Sequence, residues 1–276
     1  MGKFCSTAIL TSVKALCSWL AGFALAVSPL AAQSTETSII PQIADGGAWQ
    51  TTLVVANTTT TSATASFSFY QETSGGATEA WNLAFLETVS TQNFTLAPGA
   101  TLFLHTLGTA SSTAVGWAQL QAPAGVVCYA IFTERVPGRA DQDGTAPAAA
   151  STTRVLVPFD NSSELVTSIA LANPSNASES VLVSIQTQTG SITQQTPLTI
   201  PALGHMAFTF PQQFPATSGQ RGLAEFYTAN GALSAIALRF NPTGAFTTAP
   251  VYPESGSPII GGNSSTPPKS ASSIRN

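Results

Sequence analysis

Few side chains in this 276-residue sequence can act as a base, a nucleophile or a metal ligand. There are two histidines and three cysteines, and charged residues make up 8% of the chain. His105 and His205 have no acid close by in sequence. A histidine base needs a positioned partner within hydrogen-bond reach, so both read as strand-end residues and the chain is expected not to be an enzyme. Cys128 sits in the apolar run Val126-Val-Cys-Tyr-Ala-Ile-Phe132, where a thiol keeps a high pKa and acts as packing. Asp141-Gln-Asp143-Gly144 starts like a calcium-binding loop. The full pattern needs further oxygen ligands and a closing glutamate, and Thr-Ala-Pro-Ala-Ala-Ala follows instead. Neither a metal nor another cofactor is expected. Asp45 and Asp160, each before turn-forming residues, read as turn caps.

Aromatic rings are the other route to a site, because a flat ring on a β-sheet face can stack against a sugar. Trp81 is the best candidate for an exposed ring, with Tyr70 on the adjoining strand end. The bland alternative is that Trp81 and Phe85 form an extra hairpin packed on the domain. Trp117 lies on the face opposite Ala118 and Leu120 and is expected to be partly exposed. Trp49 shares a face with Leu53 and is expected in the core.

Composition narrows the partners. Acids outnumber bases, 13 to 9, and the only lysine after the amino-terminal region is Lys269. A nucleic-acid partner needs a basic stripe that is missing here. The first residues carry Lys3 and Lys14 without an acid, then a short apolar segment, then Ala31-Ala32-Gln33-Ser34. That is the pattern of a cleavable signal peptide, and the apolar segment is short of the roughly 18–20 residues that cross a bilayer. Residues 1–34 therefore read as a signal peptide and the mature chain as secreted or periplasmic, with no membrane insertion after cleavage. Only Cys128 would survive cleavage, so the domains must stand on packing alone.

The elements that would position these residues come from an internal repeat. Trp49-Gln-Thr-Thr-Leu-Val-Val-Ala-Asn57 aligns with Leu165-Val-Thr-Ser-Ile-Ala-Leu-Ala-Asn173. Thr95-Leu-Ala-Pro-Gly99 answers Thr199-Ile-Pro-Ala-Leu-Gly204, and Gly116-Trp-Ala-Gln-Leu120 answers Gly222-Leu-Ala-Glu-Phe226. In this alignment Cys128 falls on Ser234, and residues 77–92, which contain Trp81, are an insertion without a counterpart. Period-two alternation broken by Asn, Gly and Pro marks half-buried strands. The second copy predicts about seven, near 154–158, 165–173, 180–188, 194–200, 205–210, 222–227 and 233–240, with at most one helical turn at 211–215. That count fits an immunoglobulin-like sandwich.

The predicted fold is all-β: two tandem immunoglobulin-like antiparallel β-sandwich domains, at 35–136 and 154–252, each with its own core. A linker spans 137–153, and the Gly-, Pro- and Ser-rich tail 253–276 reads as disordered. Pro41-Gln-Ile-Ala-Asp-Gly-Gly-Ala-Trp-Gln-Thr-Thr52 and Leu238-Arg-Phe-Asn-Pro-Thr-Gly-Ala-Phe246 resemble segments of uncharacterised exported bacterial proteins with tandem immunoglobulin-like β-sandwich repeats. The resemblance implies the fold and carries no activity. The expected role is a non-catalytic exported module for adhesion, scaffolding or surface contact, with a cell-surface protein or polysaccharide as partner. The alternative is a carbohydrate-binding protein using Trp81, Tyr70 and Trp117. Ligand and oligomeric state are not specified by the sequence.

Overall fold

A computed structural model describes residues 34–261. The signal peptide expected at 1–34, but for Ser34, and the tail from 262 onward lie outside the described residues. The chain is all-β, built from antiparallel sheets. Its first half contributes β1 (Thr35–Asp45), β2 (Trp49–Asn57), β3 (Ala63–Glu72), β4 (Thr78–Ala80), β5 (Phe94–Leu96), β6 (Thr101–His105), β7 (Ala114–Pro123), β8 (Val126–Glu134) and β9 (Gln142–Pro147). The second half contributes β10 (Arg154–Asp160), β11 (Val166–Ala172), β12 (Glu179–Thr187), β13 (Ile192–Gln194), β14 (Leu198–Ile200) and β15 (His205–Thr209). It continues with α1 (Phe210–Gln213), β16 (Arg221–Tyr227), β17 (Ser234–Phe240), β18 (Phe246–Ala249) and β19 (Tyr252–Glu254).

One sheet of the first half runs β1-β7-β3-β4, with β5 also on β3, and the other runs β6-β2-β8-β9. In the second half the orders are β13-β12-β16-β10-β19, with β14 also on β12, and β15-β11-β17-β18. Alternation along each strand sends one set of side chains inward. Leu53, Val55, Phe67, Phe69, Ala118, Leu120, Ala130 and Phe132 fill the first core, and Val157, Ile169, Leu171, Ile185, Phe210 and Phe226 the second.

Two short sequence signals have physical reasons. A Cβ on Gly116 would lie 2.0 Å from the Tyr70 carbonyl oxygen, and one on Gly222 would lie 2.0 Å from that of Gln186. Both strands therefore need glycine where they meet their neighbour. Asn57 and Asn173 are buried at the ends of β2 and β11. Asn57 Nδ2 donates to the carbonyls of Thr61, Leu96 and Ala97, and Asn173 Nδ2 to those of Ala177, Ile200 and Pro201. Each asparagine ties a turn to a neighbouring strand end.

Three expectations change. The predicted linker 137–153 contains β9, which pairs with β8 from Tyr129↔Pro147 to Glu134↔Gln142. Its linker composition hid a strand whose inward positions are only Gly144 and Ala146. The tail expected to be disordered starts with β19 on β10 and continues to Ile260, which is buried and whose N–H donates to Glu225. The two cores are also not separate: Ala170, Ile236 and Phe246 of the second half belong to the same apolar cluster as the first core. β1 lies against β11 and β17, and β9 against β18. Pairing through β2 and β8 on one side and β11 and β17 on the other places Cys128 on Ala235 rather than Ser234.

Candidate functional site

Strand register decides which of the chemistry-bearing residues meet. His205 opens β15 and is fully buried; Glu72 ends β3 in the other half. The two are 133 residues apart in sequence, yet His205 Nδ1 lies 2.6 Å from Glu72 Oε2 while Nε2 lies 3.1 Å from the Pro41 carbonyl oxygen. Both neighbours are acceptors, so the ring donates to one of them when neutral and to both when protonated. No sequence signal pointed to this pair. It depends on how the outward face of the second half is packed on the first.

The same packing overturns the reading of Trp117. Its side chain does point away from Ala118 and Leu120, as expected, but it is fully buried. Indole Nε1 donates to the Leu203 carbonyl oxygen at 2.8 Å, and the ring stacks on Tyr70 with centroids 4.3 Å apart. Ile39, Ala172 and Leu203 close around it. The outward face that a lone sandwich would show to water is here covered by β11 and the turn before β15. Trp117 is a packing residue of the contact between the halves, with Tyr70 as its partner. Trp49 is half-buried against the first core, and its ring sits 5.2 Å from Phe246 of the second half.

Trp81 lies just beyond β4, its N–H donating to the Phe69 carbonyl at 2.9 Å. Trp81 and Phe85 are half-buried against the first core, without forming a hairpin of their own. Beside Trp81 a groove of ≈ 390 Å³ runs over β3, lined by Ser66, Ser68, Tyr70, Asn82 and Gln92. Hydroxyl and amide groups beside aromatic side chains suit a neutral polyhydroxylated ligand. A second cleft, ≈ 330 Å³, lies between the halves against Trp49, Phe132, Phe208 and Phe240, with Gln42 at its edge. A third, ≈ 340 Å³, is apolar, against Ala146, Val155, Leu233, Ile236 and Val251.

The remaining candidates are held in local contacts. His105 Nδ1 meets Glu87 Oε1 at 2.6 Å, and the His105 backbone N–H donates to Glu87 Oε2. Burial pushes the Glu87 carboxyl up, but the hydrogen bonds from His105 outweigh it and hold the group below its ordinary value. Burial pushes the Cys128 thiol up to about 12, which leaves it protonated and inert. Asp141 pairs with Arg135, and Asp143 accepts from the Thr133 hydroxyl. Among the described residues no three His, Cys, Asp or Glu side chains cluster as a metal site would require. Asp160 accepts from Ser162, Arg221 and Arg239. Burial raises its pKa, but these bonds win and hold it well below the usual carboxylate range.

The feature that the reading of candidate rings missed is a whole sheet face. On the outward side of β6-β2-β8-β9, register aligns Phe103, Val54, Tyr129 and Pro147 in one row. Thr101, Ala56 and Val127 form the row above, and His105, Thr52, Ile131 and Thr145 the row below. Leu86, whose N–H donates to the His105 carbonyl, extends the lower row past β6. Phe103 is 46% exposed, Val127 51%, Tyr129 38% and Leu86 61%, while Val54 and Thr52 on the central β2 are buried. The signal was legible in the unbroken apolar run of β8, which can face a core with only every second residue. Compared with known proteins, the chain matches no family model and no curated protein.

Proposed function

We propose that this chain is a non-catalytic exported module of two tandem immunoglobulin-like β-sandwich domains that works by surface contact, as an adhesive or scaffolding protein outside the cell or in the periplasm. The observation that carries this reading is the outward face of β6-β2-β8-β9. Single exposed apolar side chains are ordinary, but clustered ones mark interaction sites, and here Phe103, Tyr129, Val127 and Leu86 stand exposed on one sheet face around the buried Val54. Two of the chemistry-bearing side chains point the same way: His205 is spent on a contact between halves, and Cys128 on packing. The test is capture of the purified mature chain by cell-surface material. Retention is expected, and a chain that no surface fraction retains would overturn the reading.

A second reading keeps carbohydrate as the ligand, and the groove beside Trp81 favours it. Without Trp117, the ring set reduces to Trp81 and the edge of Tyr70. Trp81→Ala should then lower retention on a polysaccharide panel at least tenfold. Unchanged retention would remove this site.

A further inference from the structure

The face that the surface-contact reading uses has a counterpart inside the same chain, and the centre of that counterpart is covered. Pairing sets Val54 opposite Phe103 and Tyr129, and Tyr129 opposite Pro147. In the second half Ala170 stands opposite Ala207 and Ile236. Ala237 pairs with Ala249, which puts Ile236 level with Pro250. Thus Phe103, Val54, Tyr129 and Pro147 occupy the places of Ala207, Ala170, Ile236 and Pro250. The centre of the second row is packed against the first half of the chain: Ala170 and Ile236 are buried in its cluster, and β1 runs along β11 and β17, while Ala207 and Pro250 at the ends are exposed. The first row carries larger, more apolar side chains at two of its places, and Phe103 and Tyr129 stand exposed on either side of the buried Val54.

Two arrangements would cover the open row with a second copy. Repeating the internal contact head to tail needs the outward face of β13-β12-β16-β10, the counterpart of the face bearing Ile39, Gln119 and Trp117. That face is crossed by the chain's own end. Glu225, in the place of Gln119, is buried, and its two carboxylate oxygens accept the N–H groups of Ile259 and Ile260 at 2.8 Å each. Arg154 reaches the Ser257 carbonyl oxygen and Gln194 that of Ile260. With the head-to-tail partner face capped, the open face is left with its own copy. A twofold contact suits it, because the charge on this side lies at its edges, at His105 with Glu87 by β6 and at Asp143 on β9, and the apolar side chains between them can face their own copies.

We propose that the outward face of β6-β2-β8-β9 joins two copies of this chain in a closed twofold dimer, while the segment from β19 to Ile260 blocks open-ended growth. The inference rests on the surface-contact reading and names the partner of that face. Four strands about 4.8 Å apart and three rows about 6.7 Å apart give a patch of roughly 400 Å². That is about half the ~800 Å² per partner of a standard stable interface, so the dimer is weak and concentration-dependent.

Sedimentation equilibrium from about 1 to about 500 µM covers the range in which so small an interface associates. The wild-type mass should rise from one chain to two and stop there. Tyr129→Lys should hold it at one chain with an unchanged melting curve; if that variant fails to fold, Val127→Lys, from the neighbouring row and more exposed, replaces it. Ile192→Lys, on the other sandwich, should dimerise like wild type. One-chain mass at every concentration overturns the proposal, as does a dimer that survives both lysine variants or a mass that grows past two. Cell-surface capture of the same samples separates the two ideas. A monomeric wild type that is still captured leaves surface contact standing without the dimer, and a dimer that nothing captures does the reverse.

Discussion

Ile236 and Tyr129 hold the same position in their sandwiches, but the one is covered and the other faces solvent, although Val54 beside Tyr129 is buried and Ala207 and Pro250, at the ends of the Ile236 row, are exposed. Ile236 is 3% exposed and Tyr129 38%. What differs is the neighbour. Ile236 has a second sheet against it, supplied by the half that precedes it in the chain, and no described element covers Tyr129. An outward sheet face is therefore core or surface according to what is docked on it, and the strand's own pattern does not distinguish the two.

The sharpest way to break this contrast is at the sealed contact. Trp117→Ala removes a fully buried ring together with its bond to Leu203. The expected loss is about 3–5 kcal/mol, read as a drop in urea midpoint. A loss under 1 kcal/mol would mean that the halves barely depend on one another.

A smaller effect is expected from the buried histidine that bridges them. His205→Ala removes a fully buried ring and its hydrogen bonding between the Pro41 carbonyl and Glu72, and should cost about 2–4 kcal/mol. Glu72→Gln keeps a hydrogen-bonding group in place and should cost less. Equal losses from the two changes would assign the whole effect to charge.

Asp160 offers a control away from the contact. Its carboxyl is held below the ordinary value, so it contributes stability above the unfolded pKa of about 4, and that contribution fades as pH falls towards the folded value. Both arginine partners are largely exposed, with side-chain exposures of 53% and 40%, which limits the pair energy to about 1 kcal/mol. Asp160→Asn should lower stability at pH 7 by about that much and flatten its decline below pH 4. A decline as steep as wild type would place the acid sensitivity elsewhere.

How much of this was legible in the sequence depends on the length scale. Inward alternation, the strand glycines Gly116 and Gly222 and the turn asparagines Asn57 and Asn173 are local, and the sequence carried them as repeated signals. The outward direction of Trp117 was legible as well. Its burial was not, because what covers it, β11 and the turn that holds Leu203, comes from the other half of the chain, Leu203 itself 86 residues away. The Glu72–His205 pair was invisible for the same reason. β9 was obscured by its own composition, since Gly144 must be small where Phe246 approaches: an added Cβ would lie 2.7 Å from that ring. The open row was in view all along as the apolar run of β8, but the sequence gives no sign of which outward face lacks a cover.

Tyr129→Lys and Ile236→Lys place the same charge at corresponding points of the open and sealed rows, and their urea unfolding curves test the contrast directly. Tyr129→Lys should unfold within about 0.5 kcal/mol of wild type, as surface changes do. Ile236→Lys buries an unpaired ammonium between the halves and should cost more than 4 kcal/mol or prevent folding. Similar curves for the two variants would contradict the account, because the two faces would then differ in neither cover nor function.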